Sequence, residues 1–198
     1  DGVGREATAE IVRRARGELV CRAGPPRAAA VDHGELTLIV CLPKAGKLED
    51  IVRMTTELGV RAISLATSER TVPKAGADSS KLERLRRVAR EACAQSGQPY
   101  VPALNAPRPL AECAAAAPPS ATKLAFWEEA RSRLPAACSG MHEVWAVVGP
   151  EGGLSADEAE LLERLGYRLH SLGTHILRVD TACVVSAALL LDRMRAHD

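Results

Sequence analysis

Between residues 36 and 195, short apolar runs alternate with amphipathic stretches, and this alternation restricts the chain to few folds. Leu36 to Leu42 is a continuous apolar run, as a strand covered on both faces requires. Lys47 to Leu58 has helical spacing, with Leu48, Ile51, Val52, Thr55 and Leu58 on one face and Gly59 as its stop. Ala62 to Ala66 reads as the next strand. Ser80 with Glu83 then has the form of a capping box, opening a helix with a stripe of Leu82, Leu85, Val88, Ala89 and Ala92 that ends at Gly97. Tyr100 to Leu104 reads as a short strand, and Pro107 to Ser120 as loop. Lys123 to Trp127 and Glu143 to Val148 are two further strands. Ser155 with Glu158 caps a helix running to Gly166, and Tyr167 to Leu172 is the last strand. Thr181 to Arg195 is the last helix, apolar almost all round from Ala182 to Leu191, so it is expected to be covered by the sheet and by a partner subunit. The pattern predicts an α/β fold with a parallel sheet flanked by helices, whose ligands sit at the carboxyl ends of the strands.

Residues 1 to 27 have a different texture. Ala7 to Val12 and Glu18 to Arg22 read as strands around the turn Arg16-Gly17, too few to be stable alone. They are expected to be the end of a small β-domain, joined by a linker over Ala23 to Gly34 to an α/β domain spanning 28–198. Aromatic residues make up only 3% of the chain, which argues against an aromatic platform for single-stranded RNA. A net charge of +1 gives no support for a nucleic-acid partner, although Arg13, Arg14, Arg16, Arg22 and Arg27 crowd the start and Lys81, Arg84, Arg86, Arg87 and Arg90 crowd one helix. The six cysteines, Cys21, Cys41, Cys93, Cys113, Cys138 and Cys183, are scattered without CxxC spacing, as in a cytoplasmic protein with reduced thiols and no metal site. No signal peptide is visible, and no run reaches the ~18 apolar residues of a membrane span.

Three segments carry chemistry, and each follows a strand: Thr67-Ser68-Glu69-Arg70-Thr71, Gly149-Pro150-Glu151-Gly152-Gly153, and Leu172 to Thr181. The glycines of the middle segment let backbone N–H groups approach a ligand just before a helix begins. Neither GxxxxGK[ST] nor GxGxxG occurs, so the nucleotide-phosphate fingerprints are absent. In the third segment Asp180 reads as the cap of the last helix, with Arg178 paired to it.

The ordered set Glu57-Leu58-Gly59-Val60, Ser68-Glu69-Arg70, Glu91-Ala92 with Gln95-Ser96, Gly149-Pro150-Glu151-Gly152-Gly153, and Leu172-Gly173 with Ile176-Leu177-Arg178 resembles the ribosomal RNA small subunit methyltransferase E family. The resemblance implies a SPOUT-type domain with a C-terminal trefoil knot, preceded by a PUA-like β-barrel whose end would be residues 1–27. It implies a cytoplasmic homodimer that takes a methyl group from S-adenosyl-L-methionine and places it on uridine N3 of 16S ribosomal RNA in the small ribosomal subunit. It further implies cofactor contacts from Ala66, Thr67, Val148, Gly149, Pro150, Glu151, Gly152, Gly153, Leu172, Gly173, Ile176 and Leu177. N3 bears a proton on the pairing edge, so the base must be unpaired and a carboxylate must take the proton. Glu151, Asp180 and Glu69 are the candidates for this base, Arg178 is suited to steadying a uracil anion, and Arg70, Arg84 and Arg87 are suited to RNA phosphate.

Three departures from the family pattern bear on the substrate. Met54 stands where a Lys is common, Gln98 where an Arg is usual, and Asp180 where the final motif carries Glu. They leave two other readings open, a knotted RNA-binding protein without catalysis and a SPOUT methyltransferase with another RNA target.

Overall fold

The computed structural model describes residues 2–31, 33–43, 46–71, 79–134 and 141–195. Cys138 and the residue before the second helix lie outside the described residues.

The N-terminal segment forms two small antiparallel sheets. One pairs β1 (Arg5–Glu6) with β4 (Arg27–Ala28), and the other is a hairpin of β2 (Ala9–Ala15) and β3 (Glu18–Ala23). Gly17 takes φ +82° at the hairpin turn, a conformation that a side chain disfavours. The segment docks on the larger body near Tyr100: Gly4 N donates to Pro99 O at 2.9 Å, and Val101 N to Gly2 O at 2.9 Å. A Cβ at Gly4 would overlap the Tyr100 ring, so only glycine permits this approach.

Six parallel strands form the main sheet: β5 (Glu35–Cys41), β6 (Ala62–Thr67), β7 (Ala103–Pro109), β8 (Thr122–Phe126), β9 (Glu143–Val148) and β10 (Arg168–His170). Their spatial order is β10-β8-β9-β5-β6-β7. The helices are α1 (Leu48–Leu58), α2 (Ser79–Ser96), α3 (Leu110–Ala115), α4 (Ala156–Arg164) and α5 (Val179–Met194). Side chains alternate across the sheet. Leu36, Leu38 and Val40 join the core beneath α1, α2 and α5, whereas Ile39 and Cys41 join the core beneath α3 and α4. That double coverage is why β5 is apolar throughout.

Several boundaries differ from the sequence reading. The strand expected over Tyr100 to Leu104 instead begins at Ala103 and runs through two prolines. Because β7 is an edge strand, Pro107 and Pro109 cost the sheet no interior hydrogen bond. The expected loop contains α3, whose single turn buries Leu110, Cys113 and Ala114 but is too short to reveal a period. α2 begins at Ser79, so Ser80 lies inside its first turn rather than at the cap, and Glu83 pairs with Arg86. β10 is confined to three residues, and the Tyr167 ring is buried with its hydroxyl donating to Ala114 O at 3.1 Å. The Ser155 capping box is present in full, with Glu158 N donating to Ser155 Oγ at 3.2 Å and Ser155 N to Glu158 Oε2 at 2.9 Å.

Candidate functional site

The carboxyl ends of β8, β9 and β10 converge on one cleft. After β9 the chain turns sharply over Pro150–Gly153, where Gly153 N donates to Pro150 O at 2.9 Å. Gly153 has φ +70°, and a Cβ there would overlap the Glu128 carboxylate that follows β8. Gly149 is also confined, since its Cβ would lie 3.0 Å from Leu154 N. Trp127 Nε1 donates to Leu154 O at 3.2 Å and ties the end of β8 to the exit of this glycine loop. After β10, Ser171 Oγ donates to Gly173 O at 2.7 Å and starts the loop that leads to α5.

The cleft is open to solvent and holds about 680 Å³ of space including its mouth. Val148, Gly149, Pro150, Glu151, Gly153, Leu172, Gly173, Ile176 and Leu177, all among the cofactor contacts that the resemblance implies, line it. The structure adds Phe126, Trp127, Glu128, Ser171, Thr174, His175, Val179 and Ala182. Ala66, Thr67 and Gly152 are not among the lining residues. Ala66 is buried in the core below α3, Thr67 Oγ1 donates to Arg108 O at 3.4 Å, and Gly152 faces Arg70. Phe126, Trp127 and Glu128 could have been found from sequence, since they too end a strand.

Of the three proposed proton acceptors, Glu151 lines the cleft, whereas Glu69 and Asp180 do not. Asp180 sits in the first turn of α5, not at its cap. The capping position belongs to Arg178, which makes no side-chain cap bond. Asp180 Oδ1 accepts from Lys47 Nζ at 3.1 Å and lies 3.4 Å from Arg178 Nε. Burial works to raise the Asp180 carboxyl, but the Lys47 hydrogen bond, its own backbone N–H and the Arg178 charge outweigh it and hold the group below its ordinary value. Lys47, at the N-cap of α1, is a member of this cluster that the sequence did not indicate.

The other cations stand elsewhere. Arg70 donates to Gly152 O beside the cleft. Arg84 pairs with Glu49 across α1 and α2 at 2.9 Å, and Arg87 with Glu91 at 3.7 Å. Gln98 Nε2 donates to Glu57 O at 3.1 Å and so closes the C-terminal end of α1, which gives this departure from the family pattern a structural use. His170 is buried with no partner for Nδ1, and burial lowers its pKa. Burial also pushes the Cys41 and Cys183 thiols up. Among the described residues no group of three or more His, Cys, Asp or Glu could hold a metal ion, and no helix is long and apolar enough to cross a membrane.

A family described as RNA methyltransferase domain matches residues 32–191. A ribosomal RNA small subunit methyltransferase E from Mycobacterium bovis is 31% identical over 193 residues, covering 94% of this chain and 74% of the relative. This chain belongs to that family. The Synechocystis member is 33% identical over 166 residues, which span 77% of this chain but only about half of the relative, 52%. Among solved structures, the Neisseria gonorrhoeae ribosomal RNA small subunit methyltransferase E bound to S-adenosyl methionine superposes with a TM-score of 0.85 at 26% identity, covering 95% of this chain and 78% of that one.

Proposed function

We propose that this chain transfers a methyl group from S-adenosyl-L-methionine to N3 of a uridine in 16S ribosomal RNA, acting on the small ribosomal subunit as a cytoplasmic homodimer with a SPOUT-type C-terminal knot. The observation that carries the reading is the cleft built from the glycine loop and the loop before α5, in a family whose Neisseria member holds S-adenosyl methionine. Its walls suit that ligand. Phe126, Val148, Leu172 and Leu177 offer apolar surface for a purine, and the backbone at Gly149, Gly153 and Gly173 offers polar groups without side chains in the way. Glu128 and Glu151 place negative charge beside a cationic donor.

The donor supplies an electrophilic methyl group on a sulfonium. The protein's part is to align the acceptor and remove its proton. Glu151 is the base in this account, because it lines the cleft while Asp180 is held anionic between Lys47 and Arg178 and is thereby a weak proton acceptor. Arg178, which stands in sequence between the lining residues Leu177 and Val179 and has its side chain 72% exposed, steadies the uracil anion, and Asp180 orients it. Arg70 and the α2 face bearing Arg84 and Arg87 meet phosphate through the donors that their internal pairs leave over. A partner copy would cover Val184, Val185, Ala188 and Leu189, the half-buried apolar residues of α5, together with Ile176, which is 85% exposed.

The test is methylation of small subunits that lack the modification, with the product nucleotide identified by mass spectrometry and the protein's mass in solution by sedimentation. The reading expects N3-methyluridine formed by a dimer, and a Glu151→Gln variant about 100-fold slower in kcat, the low end for loss of a general base. Methylation at a ribose or at another base would refute the assigned substrate.

A further inference from the structure

The segment Thr67 to Thr71 follows a strand at the carboxyl edge, yet neither Ala66 nor Thr67 is among the residues lining the cleft. Its hydrogen bonds show another use. Ser68 to Thr71 is a self-closed turn: Ser68 N donates to Thr71 Oγ1 at 3.0 Å, and Thr71 N to Ser68 O at 3.0 Å. Two bonds then join this turn to the glycine loop and the helix that follows it. Glu69 N donates to Glu158 Oε1 at 2.8 Å, while the other oxygen of the same carboxylate accepts from Ser155 N at 2.9 Å. From the same turn, the Arg70 guanidinium donates to the Gly152 carbonyl. The arm of Arg70 lies flat on the loop, since a Cβ at Gly152 would sit 3.3 Å from Arg70 Cδ and 3.4 Å from its Cβ.

We propose that Arg70 and Glu158 are positioning residues that clasp the Ser68–Thr71 turn to the glycine loop and hold that loop's backbone in its ligand-binding shape. The inference rests on the cofactor reading above and deepens it. Pro150, Glu151 and Gly153 face the cleft, while Gly152 between them turns its carbonyl to Arg70. A loop of three glycines in five residues has little stiffness of its own, so its shape must come from outside contacts. The bond to Gly152 fixes the middle of the loop, and the Glu158 carboxylate fixes the start of α4 and the turn together. The clasp thus makes binding dependent on two side chains outside the cleft. Glu158 is specific in this role because it needs two acceptor oxygens at once. Glutamine at 158 keeps one acceptor and can serve only one of the two backbone N–H groups.

The experiment is calorimetric titration of S-adenosylhomocysteine, without RNA, into the wild-type chain, Arg70→Ala, Arg70→Lys, Glu158→Gln and the double variant Arg70→Ala/Glu158→Gln, each with a melting curve. Leaving RNA out separates this role from any phosphate contact of Arg70. Arg70→Ala and Glu158→Gln should each weaken binding by about three- to tenfold, the scale on which packed networks transmit effects to a site. Arg70→Lys, which still donates to the carbonyl, should recover most of the loss. The double variant should lose less than the product of the two single effects, because both bonds hold one turn. Affinity unchanged in both single variants beside a binding wild type would overturn the clasp, as would lowered melting temperatures with unchanged affinity. Absence of saturable binding by the wild type would instead sink the cofactor reading itself.

Discussion

At the scale of single residues, the most consequential placement is Asp180. Its letter in the sequence suggested a helix cap or a proton acceptor, and the structure puts it in the first turn of α5, outside the residues that line the cleft. Two cations from different segments, Lys47 and Arg178, fix it as an anion at the entrance to α5. Lys47 was not legible as its partner because 133 residues separate them, and only the parallel sheet brings the ends of β5 and β10 to the same edge. The pairing has a pH signature. A carboxyl whose folded pKa lies below its unfolded value adds stability that is present above the unfolded value, and that stability is lost as pH falls through the folded one. The melting temperature of the wild type should therefore fall more steeply than that of Asp180→Asn as pH drops below the ordinary carboxylate range, with the two curves converging in acid. Parallel curves across that window would show that the ion pairs contribute nothing.

At the scale of elements, the apolar runs and the stop glycines placed five of the six main strands and four of the five helices among the described residues near their observed positions. Gly59, for example, ends α1 with φ +101° and donates its N–H to Thr56 O at 3.0 Å. What the pattern missed has physical causes. β7 contains Pro107 and Pro109, residues that argue against a strand unless one already knows that the strand lies at an edge. α3 is shorter than two turns, so no periodicity could reveal it. The Ser80 and Ser155 readings rest on the same Ser-x-x-Glu spacing, and the structure places the two serines differently at their helix starts. The Ser155 box is confirmed by reciprocal bonds, while the helix near Ser80 simply starts one residue earlier. The cap of α4 should be worth about 1 kcal/mol, so Ser155→Ala is expected to lower unfolding free energy by that amount in urea denaturation. A change below the error of the measurement would mean that Glu158 alone maintains the helix start.

At the scale of the molecule, one edge of a six-stranded parallel sheet gathers nearly every residue with chemical potential. The glycine loop, Glu128, Glu151, the loop from Ser171 to Leu177 and the Lys47–Asp180–Arg178 cluster all follow strands of that edge. The three segments singled out in the sequence all follow strands at that edge, but their division of labour was not legible. One walls the cleft, one walls it and anchors α5, and one braces the glycine loop from behind. Such roles depend on which way each loop faces, and a linear pattern does not carry that information. The N-terminal arm, held to Val101 and Pro99 through Gly2 and Gly4, adds a hairpin with exposed arginines to the same chain. The central claim is that the cleft binds S-adenosyl-L-methionine, and the most direct test is titration of the purified chain with S-adenosylhomocysteine beside Gly153→Ala. Saturable binding at one site per chain is expected in the wild type and its loss in Gly153→Ala, where the new Cβ meets both a φ of +70° and the Glu128 carboxylate. Equal binding by both proteins, or none by a folded wild type, would contradict it.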